Sequence, residues 1–149
     1  MIVNLNSDVT DIAYNSARVK PGCCFVAISG AARDGHDFIP MAVHAGAKVV
    51  VRQHPVDVPE TVTNVVVEDS RDALARLSDD YFAHPTREMT LVGVTGTNGK
   101  TTITYLLESV WRVWKQNPGV IGTVNARFAG NTEPVSHTTP ESYELQRIL

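Results

Sequence analysis

The first half of the chain alternates short apolar runs with stretches whose apolar residues recur at helical spacing. The apolar runs predict strands over residues 23–28, 48–52 and 64–67. Helical spacing predicts a helix over residues 37–45, ending near Gly46, and a second helix that an Asp69-Ser70 cap begins and that runs to Tyr81. The proline-rich, polar stretch 53–63 predicts a loop. This alternation indicates an α/β fold with a mostly parallel sheet.

The second half begins with an apolar run, residues 89–94, that predicts a strand leading directly into a glycine-containing loop. The next segments predict a helix over 101–115, a strand over 120–124, a turn-bearing segment over 128–134 and a helix over 141–149. The first of these helices has a broad apolar stripe that includes Trp111 and Trp114, which we expect to pack against a sheet.

A polar segment around Pro85 predicts a linker and divides the chain into two domains, residues 1–87 and 88–149. We interpret the first as a small N-terminal α/β domain and the second as the truncated start of a doubly wound α/β domain. Its single strand–loop–helix–strand turn is too little to close such a sheet around a core, so we expect a truncated chain.

Charge and composition exclude several classes of partner. The formal net charge of −3 gives no general electrostatic reason to bind nucleic acid. No apolar run approaches the roughly 18 residues that a membrane-spanning helix requires, and the N-terminus does not resemble a secretory signal. Cys23 and Cys24 are adjacent in a predicted strand, where a disulfide between them would be strained. We expect reduced packing residues and a cytoplasmic protein.

One motif carries chemistry, because the loop between the predicted strand and helix has the features of a phosphate loop. Its glycines allow a tight turn whose N–H groups face phosphate oxygens, and the helix start adds its positive end. Lys100 is the candidate catalytic residue, since its ammonium would hold the outer phosphates, and the Thr101 hydroxyl is the candidate ligand for Mg²⁺. The predicted ATP-binding residues are Gly96, Thr97, Asn98, Gly99, Lys100, Thr101 and Thr102. We therefore interpret the second domain as the truncated start of a P-loop-type doubly wound ATPase domain.

The spelling of this loop departs from the consensus G-x-x-x-x-G-K-[ST], because Val94 stands where the first glycine belongs. The shorter G-x-x-G-K-T argues against an ordinary GTPase or transport ATPase. The alternative interpretation is a glycine-rich turn that only connects a strand to a helix.

The loop resembles the ATP loop of the Mur ligases and of folylpolyglutamate synthases. Residues 137–145 resemble the segment that follows the loop in the tripeptide synthetase branch of the Mur ligases. Residues 18–22, 25–27 and 34–39 resemble the N-terminal domain of the same enzymes, so the resemblance extends over nearly the whole chain.

This resemblance implies an ATP-dependent ligase of peptidoglycan synthesis, with ATP and Mg²⁺ as cofactors. Its partners would be UDP-N-acetylmuramoyl-L-alanyl-D-glutamate, which accepts phosphate to form an acyl phosphate, and a diamino acid whose amine then attacks. The first domain would hold the UDP end of the nucleotide substrate. The incoming amino acid would bind a C-terminal domain, so we expect residues 1–149 to be inactive alone.

The resemblance also implies three substrate-binding residues, Ser16, Thr138 and Thr139. Ser16 lies in Asn15-Ser16-Ala17, where the family usually has Asp-Ser-Arg next to the uridine. An alternative for the threonines is that Thr139 caps a helix whose first residue is Pro140. His137 stands next to this pair as a further candidate.

Three other interpretations remain open from the residues. They are that the chain belongs to another Mur ligase, to a folylpolyglutamate synthase, or to a non-catalytic nucleotide-binding module. The folate enzyme is not expected to carry the domain before Arg87.

Overall fold

The computed structural model describes residues 9–30, 33–122, 124–128, 130–133 and 139–149. The chain separates into two compact units, one extending to Pro85 and the other covering Thr86 to Ile148. Among the described residues, no helix is long and apolar enough to cross a membrane.

The first unit is built on a four-stranded parallel sheet in the order β1-β2-β3-β4. Its strands are β1 (Ile12–Ala13), β2 (Cys24–Val26), β3 (Val49–Arg52) and β4 (Thr63–Val66). The three predicted strands and the parallel α/β class are confirmed. The two-residue strand β1 was not predicted, because so short a segment shows no periodicity.

The helices of the first unit follow the predicted positions. A 3₁₀ turn (Gly35–Phe38), capped by the Asp34 carboxylate, leads into α1 (Ile39–His44). The chain leaves α1 through Gly46, whose φ of +98° lies in the left-handed region that favours glycine. Helix α2 (Ser70–Tyr81) begins as predicted at Asp69, whose carboxylate accepts the N–H groups of Arg71 and Asp72 at 2.7 and 3.2 Å.

The core of the first unit is apolar and contains Phe25, Ile39 and Val50, all of them almost fully buried. Helix α2 adds Leu74 and Leu77, which are also buried. Cys23 and Cys24 are free, buried thiols, as predicted. Burial raises the pKa of the Cys24 thiol to about 12, which is the behaviour of a packing residue.

The second unit combines two helices with a small antiparallel sheet. The helices are α3 (Lys100–Val113) and α4 (Ser142–Ile148), both close to their predicted positions. The sheet has the order β5-β6-β7, with β5 (Val120–Ile121), β6 (Ala126–Phe128) and β7 (Asn131–Glu133). The segment predicted as a turn is therefore a β6–β7 hairpin that turns at Gly130, whose φ is +81°.

Two predictions for the second unit are wrong. Residues 89–94 are not a strand, because within the described part of the chain no strand pairs with them, and Leu91 is 58% exposed. The apolar stripe of α3 does not pack against a sheet, and Trp114 is 66% exposed. An apolar run becomes a strand only when a neighbour satisfies its N–H and C=O groups. The strands described in this unit pair in antiparallel fashion, β5 with β6 and β6 with β7.

Candidate functional site

The predicted phosphate loop forms a tight turn immediately before α3. Gly96 and Gly99 have φ values of +148° and +80°, which residues with a Cβ rarely adopt. A Cβ added at Gly99 would meet no atom within 4 Å, so the space beside this residue is open. Glycine is therefore required here by backbone conformation, and the open side leaves room for a ligand.

Lys100 is the first residue of α3, and its side chain bends back over the loop. Its ammonium donates hydrogen bonds to the carbonyl oxygens of Gly96 and Thr97, at 2.5 and 3.4 Å. No acidic residue stands in the first turn of α3, so the partial positive charge of the helix start is not neutralised within that turn. The ammonium and the helix start together make this loop suited to a phosphate group.

The polar residues of the loop are accessible to a ligand. Thr97, Asn98, Thr101 and Thr102 are all exposed, and the latter two lie in the first turn of α3. Threonine and asparagine supply oxygen donors, which are the ligand atoms that Mg²⁺ prefers. The residues present therefore fit a nucleotide phosphate with its magnesium ion, and Thr101 is the residue that would contact the metal.

The predicted substrate-binding threonines are only partly within the described residues. Thr138 and His137 lie outside them, while Thr139 is exposed. Helix α4 begins at Ser142, and the Leu145 N–H donates to the carbonyl oxygen of Glu141 at 3.0 Å. The alternative that Thr139 caps this helix is therefore wrong, because the helix starts too late in the chain.

Ser16 begins a 3₁₀ turn (Ser16–Arg18) in the first unit and is half-buried. The Asn15 side chain caps this turn by accepting the Ala17 N–H at 3.0 Å. Asparagine and aspartate cap a helical turn through the same side-chain oxygen, so Asn15 supplies the cap that an aspartate would supply. The 3₁₀ turn at Ser16 therefore keeps its N-terminal cap, although Asn15 stands in place of the aspartate of the Asp-Ser-Arg pattern.

A buried charge network in the second unit was not predicted from the sequence. The Glu108 carboxylate, 8% exposed, accepts hydrogen bonds from Arg127 at 2.5 Å and from Arg112 at 2.9 Å. Hydrogen bonds from Arg127, opposed by burial, lower the pKa of Glu108, and the same pairing raises the pKa of Arg127. The only sequence signal was the spacing of Glu108 and Arg112 on one helix face.

A second unpredicted network joins the 3₁₀ turn before α1 to the end of β3 through His36. The buried His36 ring shares a 2.6 Å hydrogen bond with Asp34 through Nδ1, and its Nε2 accepts the Gln53 N–H at 2.9 Å. Asp34, His36 and His54 place possible metal-ligand atoms within 4.8 Å of one another. Both ring nitrogens of His36 are occupied by these hydrogen bonds, so the cluster is a structural network.

Comparison with known families accounts for both units. A profile described as "Mur ligase family, catalytic domain" matches residues 8–82, and one described as "Mur ligase middle domain" matches residues 94–149.

The chain belongs to the Mur ligase family.

Among its relatives is the UDP-N-acetylmuramoyl-L-alanyl-D-glutamate–2,6-diaminopimelate ligase of Geobacillus thermodenitrificans, with 44% identity over 144 residues. The ligase of the same name from Oceanobacillus iheyensis is 39% identical over 144 residues. Each alignment covers 97% of this chain and 29% of the relative. This Mur ligase chain therefore spans under a third of the length of these relatives.

Solved structures agree with this assignment. The MurF ligase of Thermotoga maritima in complex with ADP has a TM-score of 0.52 and 33% identity, over 69% of this chain and 23% of that one. A UDP-N-acetylmuramoyl-L-alanyl-D-glutamate–2,6-diaminopimelate ligase structure has a TM-score of 0.70 over 93% of this chain and 28% of that one. At 24% identity this second likeness shows the shared fold.

Proposed function

We propose that this chain is the ATP-binding part of a ligase that adds a diamino acid to UDP-N-acetylmuramoyl-L-alanyl-D-glutamate. The observation that carries the proposal is the loop at Gly96–Lys100, where an ammonium, a helix start and a left-handed glycine converge beside open space. The names of the relatives supply the substrate, because the aligned ligases are named for the muramoyl dipeptide and diaminopimelate.

In this proposal the loop binds ATP through residues 96–102. Lys100 neutralises charge on the outer phosphates, and the hydroxyl of Thr101 holds the magnesium ion. The γ-phosphate moves to a carboxylate oxygen of the dipeptide, which releases ADP and leaves an acyl phosphate. The amine of the diamino acid then displaces phosphate to form the amide. Because such transfers depend on position and charge neutralisation, the loop is the main contribution of this chain.

The domain roles are part of the same proposal. We assign residues 1–87 to the UDP end of the substrate, through Ser16, and Thr138 and Thr139 to its muramoyl-peptide end. Although the profile matching residues 8–82 is described as a catalytic domain, we place the phosphate chemistry in residues 88–149. The reason is that the glycine loop and Lys100 lie there.

Titration of the 149-residue chain with MgATP in a calorimeter tests the loop. We expect Lys100→Ala to weaken binding by about tenfold to a hundredfold, since hydrogen bonds to charged groups contribute roughly 1.5–3 kcal/mol. Lys20→Ala, which removes an exposed lysine of the first unit, is the matched control and should bind MgATP normally. Equal affinity of the Lys100→Ala variant and the parent chain would refute the loop assignment.

Titration with UDP-N-acetylmuramoyl-L-alanyl-D-glutamate and, separately, with folate tests the substrate. We expect the muramoyl dipeptide to bind more tightly. Tighter folate binding would assign the chain to a folylpolyglutamate synthase, and preference for a UDP-muramoyl tripeptide would assign it to another Mur ligase.

Ligation can be tested in a chimera in which residues 1–149 replace the aligned segment of the Geobacillus thermodenitrificans ligase. We expect the chimera to form the amide and Lys100→Ala to abolish turnover. A chimera that binds MgATP and the dipeptide without forming the amide would favour a non-catalytic nucleotide-binding module.

A further inference from the structure

The helix that follows the phosphate loop carries an apolar stripe that lies open to solvent. Four residues of α3 and the residue directly after it form the stripe, and each is 45–79% exposed: Ile103, Leu106, Val110, Val113 and Trp114. At 3.6 residues per turn these positions fall within about 100° of the helix circumference, so they make one continuous face. An apolar face of this width is typical of a helix that packs against another element.

The opposite face of α3 is the one that packs within the second unit. Arg127 of β6 donates hydrogen bonds to the buried Glu108 carboxylate and, at 3.0 Å, to the Tyr105 hydroxyl. Its guanidinium carbon also lies 4.3 Å from the centre of the Tyr105 ring. Because Tyr105 and Glu108 lie on the side of the helix away from the stripe, these polar contacts hold α3 with its apolar face turned outward.

The exposed area of the stripe is large enough for an interface. Its five residues leave roughly 600 Å² exposed, which is the upper end of the largest apolar patch on a typical monomer. Two such stripes in contact would remove about 1,200 Å² from water, and a biological interface is expected to exceed about 1,000 Å². One further copy of the same helix therefore supplies enough surface for a specific contact of modest affinity.

The order of residues in the stripe suits pairing with an identical helix. Ile103, Leu106, Val110 and Val113 follow the alternating spacing of three and four residues by which the a and d positions of coiled coils interlock. The charged residues between positions 101 and 113 are Glu108 and Arg112, which pair with each other at 2.9 Å on the opposite side of the helix. Two copies of the stripe thus meet without like-charge repulsion.

We propose that this stripe is an interaction surface for a second copy of the chain, and that the two copies form a homodimer in which α3 packs against α3. The contact is apolar, and Trp114 is its largest side chain. The inference does not depend on the proposed function, because the exposure and spacing of the stripe are independent of nucleotide binding.

Sedimentation velocity of the 149-residue chain at concentrations from about 1 to 200 µM tests the dimer. We expect the dimer fraction to rise with concentration, and tryptophan emission to shift to shorter wavelength as Trp114 leaves water. Raising the salt concentration should not weaken the dimer, because salt screens charged contacts and not apolar ones.

Substitutions on the stripe show whether this face forms the contact. Leu106→Glu and Val113→Glu each place a carboxylate in the apolar contact, so we expect the dissociation constant to rise more than about tenfold. Both positions are exposed, so the fold should be retained, which circular dichroism checks. Leu106→Met keeps the apolar surface and should dimerise normally. Val66→Glu, at an exposed valine on β4 of the first unit, is the matched control and should associate like the parent chain.

Three results would overturn the inference: a monomer at the highest concentration, association that survives both glutamate substitutions, or heterogeneous aggregates in place of a dimer. A chain that is monomeric alone but binds the part of the Geobacillus thermodenitrificans ligase outside its aligned segment would also overturn it, and would assign the stripe to the remainder of a ligase chain. The MgATP titration decides the proposed function separately. A monomer that binds MgATP loses only the dimer, and a dimer that does not bind MgATP loses only the proposed function.

Discussion

The imidazole Nε2 of His36 accepts the backbone N–H of Gln53 at 2.9 Å, and through this bond a buried side chain ties the 3₁₀ turn before α1 to the end of β3. The opposite ring nitrogen is held by Asp34 at 2.6 Å, which orients the ring. Gln53 in turn accepts a hydrogen bond from the fully buried Ser70 hydroxyl at 2.9 Å. The 3₁₀ turn before α1, the end of β3 and the start of α2 are thus joined by one polar network.

Replacing His36 by alanine should destabilise the first unit. The Gln53 N–H would lose its acceptor in a partly buried position, and a cavity would form, so we expect a loss of about 2–4 kcal/mol in the free energy of unfolding. Urea denaturation followed by circular dichroism measures this. The exposed neighbour His54 provides the control, since His54→Ala should cost under about 1 kcal/mol. A similar loss in the free energy of unfolding for both variants would show that the hydrogen bonds of His36 do not stabilise the first unit.

Gly99→Ala should lower the affinity for MgATP and have a smaller effect on the free energy of unfolding. The cost comes from the φ of +80°, which a Cβ disfavours by roughly 1–2 kcal/mol, and not from a clash, because the space beside Gly99 is open. Relief of this strain would turn loop N–H groups away from the phosphate. Gly93→Ala also faces open space and has no positive φ, so its MgATP affinity should match that of the parent chain in calorimetry. Normal binding by Gly99→Ala would contradict the loop geometry.

The second unit should lose stability below about pH 4 through protonation of Glu108. Hydrogen bonds from Arg127 hold the pKa of this carboxyl below its usual range. The contribution of ionised Glu108 to the stability of the unit is therefore complete above its unfolded-state pKa of about 4.3. This contribution is lost as the pH falls through the lower pKa of the folded state. Trp111 lies on α3 and Trp114 directly follows it, so their fluorescence reports the unfolding of this unit. The stability difference between the parent chain and Glu108→Gln should shrink below about pH 4; a difference that does not change with pH would contradict the pairing.

The Cys24 thiol should resist alkylation in the folded chain. Burial raises its pKa to about 12, so at pH 8.5 almost none of it is the reactive thiolate. Mass spectrometry after iodoacetamide should show modification only once urea unfolds the first unit. The pKa of the Cys24 thiol is higher in the folded chain than in the unfolded chain, so the neutral thiol stabilises the fold below about pH 9. This stabilisation is lost as the pH rises towards 12. Rapid labelling without denaturant would show that the thiol is accessible.

Local chemistry in the sequence determined much of the first unit and the phosphate loop. Asp69 begins α2 because its carboxylate caps neighbouring N–H groups, and Gly46 follows α1 because its backbone enters the left-handed region. The same holds for the turn at Gly96 and Gly99 and for Lys100 at the start of α3. Each of these features depends on residues a few positions apart, so the order of residues along the chain is sufficient to predict it.

Long-range pairing was decided only by the tertiary structure. His36 meets Gln53, and Glu108 meets Arg127, because the fold brings distant segments together, and no local pattern marks either pair. Residues 89–94 are apolar enough for a strand, yet no described strand satisfies their backbone groups. A strand, unlike a capped turn, is a property of two segments at once, and its partner is chosen by the whole fold.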